Sequence, residues 1–466
     1  MSRWSRIGIS KIAERGFPVS SRQPNIIFLA TYFKGVDFIR ECKSHGCQVV
    51  LITKEKMLGE DWPRESLDEL IALPNDSGPE LFIHLVSLLA RQNRIDRVIA
   101  LEEFDVLTAA QIREHFCLGG MSSATARLFR DKLAMAARAK QAGVNVPDFV
   151  PLINHDEIRE FLTRVPPPWI IKPRSDVSAI GIRKAQEPGE VWQTIDALDA
   201  NERLRERSPH YLLSRFVAGQ VFHVDSLVNN GRVVFAGANQ YGRPPMEVAH
   251  GGGAYISHTI PHKTEDEKKL IKLNRKLVKA LGLERGAAHA EFIKSDEDGQ
   301  FYFLEIAARV GGAYIADVLE AASGVNLWRE WAKLEIADED QGKRGEREKG
   351  RRGEGEKGSR GDALTRGEQE ETEISTSKGK KARNSHRIKP ARKEYAGIIL
   401  SLAKQEHPDT SSYADPEIVY RVKKKHHAGL IVRAKHLERV QELLSQYSGR
   451  FTEDFAAVLP PLERAE

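Results

Sequence analysis

Two stretches of the chain carry residues placed for phosphate and metal chemistry. In "WIIKPRSDVSAIGIRK" (169–184) an apolar run, Trp169-Ile170-Ile171, ends on Lys172 and Pro173, with small and polar residues following up to Gly181. A surface lysine needs no such setting, whereas a lysine reaching a phosphate does. A hairpin whose lysine stem lies along apolar surface while its amine stays in water is the plainer alternative. In "AEFIKSDEDGQFYFLEIAAR" (290–309) Glu291 and Glu305 sit on two segments joined by "SDEDGQ". If Glu297, Asp298 and Gly299 make a three-residue turn, Asp296 faces Gln300 and Glu291 faces Glu305. Opposed residues share a sheet face, with Cβ atoms about 4.5–5.5 Å apart. Like charges so placed repel, and a bound Mg²⁺, which takes carboxylate oxygens together with nucleotide phosphates, gives a reason for them. A two-residue turn would put the glutamates on opposite faces.

The elements that must position these residues alternate along the chain. "NIIFLA" (25–30) is a short apolar run of the kind that buried parallel strands show, "VDFIRECKSHG" has helical spacing up to Gly46, and "CQVVLIT" is a second strand. "RVIALEE" (97–103) is a third, backed by the helix "VLTAAQIREHF". Strand, helix and strand at this spacing predict a Rossmann-like unit, and the absence of G-x-G-x-x-G gives no support for a dinucleotide. Glu103 ends the third strand at the carboxyl edge of that sheet, where ligands sit in open α/β folds.

Beyond Met121 the pattern changes. Two helical stretches end at Gly143, and "PPPWIIKP" and "AIGIRKA" read as strands around a loop. "VFHVDSLVNNGRVVFAGANQY" reads as two antiparallel strands turned at Asn230-Gly231, and "DEKKLIKLNRKLVKALGL" as an amphipathic helix ended by Gly282. His223 and Asp225 alternate on one strand face, and His289 shares a face with Glu291. Mutual hydrogen bonding on a polar sheet face is favoured there over a second metal. "NQYGRPPMEVAHGGGAYIS" (239–257), with aromatic, Arg and Gly residues, is expected to line a substrate pocket.

Composition narrows the classes. A hydrophobic fraction of 41% over 466 residues fits a globular protein of two or three domains. Net charge is +5, with much of the basic character in a low-complexity segment over 341–393, so nucleic acid is not supported. That segment has almost nothing to fill a core, and we expect disorder there. No stretch is long and apolar enough to span a membrane. Three cysteines make neither a disulfide framework nor a zinc site, and a cytoplasmic setting is expected.

The order of elements resembles the ATP-grasp superfamily, in its carboxylate–amine (amino-acid) ligase branch, from about Asn25 to Asp338 and again from near Glu394. Lys132 in "RDKLAMAARAKQAGVNVP" is similar to the family lysine on a helix after the first domain. Lys172 is similar to its strand lysine before a mobile loop. "LEIAAR" is similar to the E-x-N-x-R end of its metal hairpin, at Glu305 and Arg309, with Ala307 where the family has Asn. The resemblance implies an α/β (α+β) protein: a flexible tail over 1–23, a Rossmann-like pre-ATP-grasp domain over 24–120, an ATP-grasp domain over 121–340, the disordered insertion over 341–393, and a small strand-rich C-terminal piece over 394–466.

It further implies ATP held by Lys132, Lys172, Ser178 and Gly181, with 175–181 as a lid over the triphosphate, and adenine on the backbone of Arg215, Phe216 and Val217. Glu291 and Glu305 would hold Mg²⁺, or Mn²⁺ in its place. Arg309 would steady an acyl phosphate, Gly311 and Gly312 would let backbone N–H groups approach the substrate, and Glu103 would meet a substrate amino group. Ser214 and Val221 stand where the family often has glutamates around the nucleotide. The implied activity activates a carboxylate as an acyl phosphate and joins it to an amine, with Lys172 and Arg309 as the catalytic cations. A biotin-carboxylase-type enzyme using bicarbonate and a non-catalytic ATP-binding paralogue are the alternatives. The implied partners are small-molecule acid and amine substrates, with a homodimer as one assembly open to the chain.

Overall fold

The computed structural model describes residues 24–176, 180–337 and 387–456, with the side chains of 249–251 left aside. The expected tail over 1–23, Ser178, and residues 341–386 of the expected insertion lie outside the described residues.

The apolar runs near the start do form a parallel sheet. Strands β1 (Asn25–Leu29), β2 (Gln48–Lys54), β3 (Glu69–Leu73) and β4 (Arg97–Ala100) lie in the order β3-β2-β1-β4. Helices α1 (Val36–Ser44), α2 (Pro79–Ala90) and α3 (Val106–His115) connect and flank them. Strand β3, "ELIAL", escaped the sequence reading because five residues between polar loops give no periodicity. Strand β4 stops at Ala100 and does not run to 103. Glu103–Asp105 is a 3₁₀ turn, and the buried Asp105 carboxylate accepts the Thr31 N–H at 2.8 Å. Glu102 and Glu103 therefore leave the sheet at its carboxyl edge, beside the β1 exit.

A second sheet has the order β5-β8-β6-β7, from β5 (Phe149–Pro151), β6 (Trp169–Pro173), β7 (Arg183–Ala185) and β8 (Tyr211–Arg215). It is preceded by α4 (Ser123–Arg127) and α5 (Lys132–Gln141), and packs on α6 (His155–Arg164) and α7 (Pro188–Asp199). Asp131 caps α5, its side chain accepting the Leu133 N–H at 3.1 Å. That cap sets Lys132 at the first helical position, facing the end of β6.

The third sheet has eight strands, in the order β13-β12-β9-β10-β11-β14-β16-β15. Its strands are β9 (Gly219–Asn229), β10 (Arg232–Tyr241), β11 (Tyr255–Thr259), β12 (Arg285–Ser295), β13 (Phe301–Ala307), β14 (Tyr395–Leu402), β15 (Ile418–Arg421) and β16 (His427–Ala434). The β9–β10 turn at Asn230-Gly231 has positive φ at both residues, the geometry that two-residue hairpin turns favour. The short helix α8 (Pro245–Gly251) lies between β10 and β11, and α9 (Glu265–Leu281) ends at Gly282 with φ 77°. After β13 come α10 (Ile315–Ser323), a helix over 327–337, and the C-terminal α11 (Leu437–Asp454).

The C-terminal strands extend this same sheet, because β14 pairs with β11 from Tyr255↔Leu400 to His258↔Gly397. Residues 387–393, assigned to the insertion by composition, run along the central body. The Ile388 N–H donates to the Val234 carbonyl at 3.1 Å and its side chain packs on the core. The first sheet and the central sheet share one core, in which Phe38 meets Trp331 with ring centroids 4.9 Å apart.

Candidate active site

Glu291 and Glu305 do face each other, but not by the expected route. The loop is Asp296–Gly299, closed by the Ser295 N–H donating to the Gln300 carbonyl at 2.9 Å, so it holds four residues and not three. Continued unbroken, that register would set Glu291 opposite Leu304. A β-bulge adds one residue to β13: Phe292 pairs with Phe303, while Glu291 pairs with Glu305.

The two carboxylates do not simply repel, because each has a cation. Lys132 Nζ lies 3.1 Å from Glu305 Oε2. Glu291 Oε1 accepts the Tyr241 hydroxyl at 2.6 Å and His289 Nε2 at 3.3 Å. Burial alone would raise the Glu291 carboxyl, but His289 and Tyr241 outweigh it and hold the group well below its ordinary value. Burial would likewise lower the His289 imidazole; Asp225 and Glu291 instead raise it to about 10, so both ring nitrogens donate at neutral pH.

Asp225 completes this network. Its carboxylate accepts His289 Nδ1–H at 2.9 Å and His223 Nδ1–H at 2.6 Å, and His223 Nε2 shares a hydrogen bond with Ser257 Oγ at 2.8 Å. The ligand atoms of His223, Asp225 and His289 lie within 4.8 Å of one another, close enough to share a metal. Hydrogen bonds already account for that closeness, and a ring nitrogen that donates to Asp225 cannot also ligate. Tyr241 and Ser257 are residues of 239–257 that reach this network, and no local pattern signals the Tyr241 bond to Glu291.

Gly311 sits directly over this network. A Cβ there would lie 2.5 Å from Asp225 Oδ1 and 3.1 Å from His289 Nδ1, whereas one at Gly312 meets nothing nearer than Lys34 Nζ at 3.9 Å. Gly311→Ala is therefore expected to destabilise by about 1–3 kcal/mol, the usual result of overpacking a rigid site. Gly312→Ala should melt close to the parent, and thermal denaturation of the two variants checks the contrast.

Lys172 lies at the end of β6, and among the described residues it makes no ion pair. Burial pushes its amine down to about 8, with Glu305 and Glu291 pulling the other way and Lys132 adding to the depression. The loop after it is pinned at its near end. Arg130 Nη2 donates to the Ser175 carbonyl at 2.8 Å, Lys132 Nζ to the Asp176 carbonyl at 2.5 Å, and Arg174 Nη2 meets Asp131 Oδ2 at 2.5 Å. Lys132 thus bridges Glu305 and the loop. Gly181, at the far end, has φ 70° and packs on Pro173.

Arg309 and Glu103 are brought together, and Glu103 is not available to an amine as expected. It is buried between Arg309 Nε and Nη2, both 2.9 Å from Oε2, and Arg130 Nη1, 2.5 Å from Oε1. Burial would raise this carboxyl, but the two guanidinium groups hold it below its ordinary value. The neighbouring Glu102 pairs instead with Lys34 at 2.5 Å, in the loop after β1. Lys34 lies under Gly312, and its amine is lowered first by burial and then by Arg309. Lys34, Glu102 and Arg130 were missed by the sequence reading, as their meeting depends on how the first sheet docks on the loop after β13.

Two N–H groups of the expected adenine-binding backbone are already engaged. The Arg215 N–H donates to the Asp148 carbonyl at 2.8 Å and the Phe216 N–H to the Pro168 carbonyl at 3.1 Å. Strand alternation could not reveal that both groups tie β8 to the chain beside it. Val217 instead belongs to an apolar cluster with Val221, Tyr241 and Ile293, bordered by Tyr302 and Leu304 of the β12–β13 hairpin. The Phe216 ring is covered by Lys184 Nζ, 3.9 Å from its centroid.

Comparison with known proteins bears on this arrangement. Residues 165–317, which include Lys172, Glu291, Glu305 and Arg309, match the ATP-grasp domain family. The chain contains an ATP-grasp domain. It is 24% identical over 246 residues to the L-arginine-specific L-amino acid ligase of Bacillus subtilis, a match spanning 52% of this chain and 58% of that relative. The likeness in fold extends beyond the matched region. The L-amino acid ligase of Bacillus licheniformis aligns with a TM-score of 0.65 at 16% identity, covering 94% of this chain and 99% of the other. The biotin carboxylase domain of the Hydrogenobacter thermophilus 2-oxoglutarate carboxylase, solved with MgADP and bicarbonate, aligns at 0.62 and 15%, covering 93% and 90%. These likenesses bear out the mixed α/β architecture. Among the described residues no helix is long and apolar enough to cross a membrane.

Proposed function

We propose that the protein is an ATP-dependent ligase that activates a small carboxylate as an acyl phosphate and passes the acyl group to an amine. The observation that carries this reading is the facing pair Glu291 and Glu305, with Lys132 at its edge and Lys172 near enough to feel both charges. Each glutamate has one oxygen engaged, Oε1 of Glu291 and Oε2 of Glu305, and offers the other. Two hard carboxylate oxygens on one sheet face fit Mg²⁺. When bound, that ion would neutralise charge on the nucleotide phosphates.

The chain's own residues supply the rest. Lys172 presents a fixed positive charge to the triphosphate, and Lys132 would exchange its contact with the Asp176 carbonyl for a phosphate oxygen. The apolar cluster around Val217 and Val221 would take the flat face of a base. Arg309, whose guanidinium plane is fixed by Glu103, would bind the acyl-phosphate oxygens with its remaining N–H groups. Phosphoryl transfer needs positioning and charge stabilisation more than covalent help, and no residue here has to form a bond to substrate. The acid's oxygen attacks the γ-phosphorus and ADP leaves; the amine nitrogen then attacks the acyl carbon, and phosphate leaves with a proton released.

The experiment is ADP release with Mg²⁺ across a panel of amino acids, singly and in pairs, with L-arginine included because one relative is specific for it. Release that requires an organic acid and an amine together is the expected result. Release with bicarbonate alone would assign the carboxylase reading, and nucleotide binding without any release would assign a non-catalytic one.

A further inference from the structure

A cavity of about 290 Å³ lies on the seam between the first sheet and the central body, apart from the residues described above. Its walls are β4, the start of β12, and the helix over 327–337. What sets it apart is charge. Arg97, Arg113 and Arg285 line it, against the carboxylates of Glu284 and Glu335. Arg97 Nε and Arg285 Nη1 converge on the same Glu335 oxygen, at 3.8 and 3.5 Å, while the other Glu335 oxygen accepts the Trp331 indole N–H at 3.0 Å.

Arg113 is the decisive residue. Its side chain is more than nine-tenths buried, and among the described residues it makes no ion pair. It is held by backbone carbonyls alone, donating through Nη1 to Val98 at 2.8 Å and through Nε and Nη2 to Met121 at 3.2 and 2.8 Å. Those three bonds leave two of its five N–H groups. Burial lowers this guanidinium to about 10, against the pull of Glu335 and Glu114. A buried charge without a direct ion pair is costly, and an anion in the cavity would offset that cost.

We propose that this cavity binds a small multivalent oxyanion, phosphate- or carboxylate-based, at a site separate from the nucleotide site. Its volume suits a metabolite-sized ligand and no macromolecule. Guanidinium groups are the side chains best matched to such oxyanions. The site also shares backbone with the catalytic edge. Ala100 lines the cavity two residues before Glu102, and Ala308 lines it immediately before Arg309. Filling the cavity would bear on the segments that carry the Glu103–Arg309 pair. The proposal does not depend on which acid or amine the enzyme uses.

The test is calorimetric titration with inorganic phosphate, succinate and citrate, without Mg²⁺, in three proteins. Wild type and Lys172→Ala, whose nucleotide site is impaired, should bind at least one probe with similar affinity. Arg285→Gln should bind that probe at least tenfold more weakly, with Arg97→Gln as a second variant on the opposite wall should the first not fold. Phosphate binding alone would identify a phosphorylated ligand, and succinate or citrate binding an organic acid; either result supports the site. No binding of any probe, binding that is lost in Lys172→Ala, or binding unchanged in both arginine variants would overturn it.

Discussion

Lys172→Met is expected to lower ADP release by about 10²–10³-fold, the size of effect seen when one preorganised donor to a developing charge is removed. The same substitution should leave the ligand-free protein at least as stable as the parent at neutral pH. The sign follows from the depressed amine. Its folded value of about 8 lies below the ordinary 10.5, so the fold disfavours the charged form. That penalty is fully present below pH 8 and is relieved as pH rises from about 8 to about 10.5. Methionine keeps the stem and removes the penalty. Melting curves should therefore show an apo protein unchanged or raised, and a stabilisation by ATP that has been lost. A variant that melts lower yet turns over ATP would mean that Lys172 is a packing residue.

Glu305→Gln should have the opposite apo effect and a comparable catalytic one. Two facing carboxylates without a cation would make the amide variant more stable, but here Glu305 already pairs with Lys132. Removing its charge leaves Lys132 and Lys172 without that neighbour. Because the Glu305 side chain is 35% exposed, we expect a loss of about 1 kcal/mol or less, not the larger loss of a buried pair. ADP release should fall at least about 100-fold, since the proposal makes this oxygen a metal ligand and the amide is a poorer donor. The deciding readout is the extra rise in melting temperature that Mg²⁺ adds to ATP. It should be present in the parent and absent in the variant. Retained turnover, or a retained Mg²⁺ increment, would remove Glu305 from the metal site.

Part of this architecture was written in local pattern. Apolar runs marked β1, β2 and β6, the Asn230-Gly231 pair marked its hairpin, and Gly282 marked the end of α9. Lys172, Glu291 and Glu305 were legible because a charge at the end of an apolar run, or facing its own kind, conflicts with its surroundings. Residues whose roles depend on docking were not legible. Glu103 looked free at a sheet edge, and it is consumed by Arg130 and by Arg309, two hundred and six positions away. The Arg215 and Phe216 amides looked available, and they hold the sheet together. Composition also hid Ile388, which packs against the core from among lysines and arginines.

The bulge in β13 gives the hairpin a parity rule. Side chains on a strand alternate between two faces, so each residue counted through the loop flips the assignment of everything beyond it. The loop Asp296–Gly299 contributes an even count and the bulge a compensating odd one, and only their sum decides whether Glu305 shares a face with Glu291. A one-residue slip of the pairing between the two strands would turn the carboxylate to the back of the sheet, while the same slip joined to loss of the bulge would bring it forward again. Register and bulge are thus two digits of one checksum. A change that the loop absorbs leaves both untouched, whereas a slip of the pairing keeps Glu305 opposite Glu291 only when the bulge changes with it.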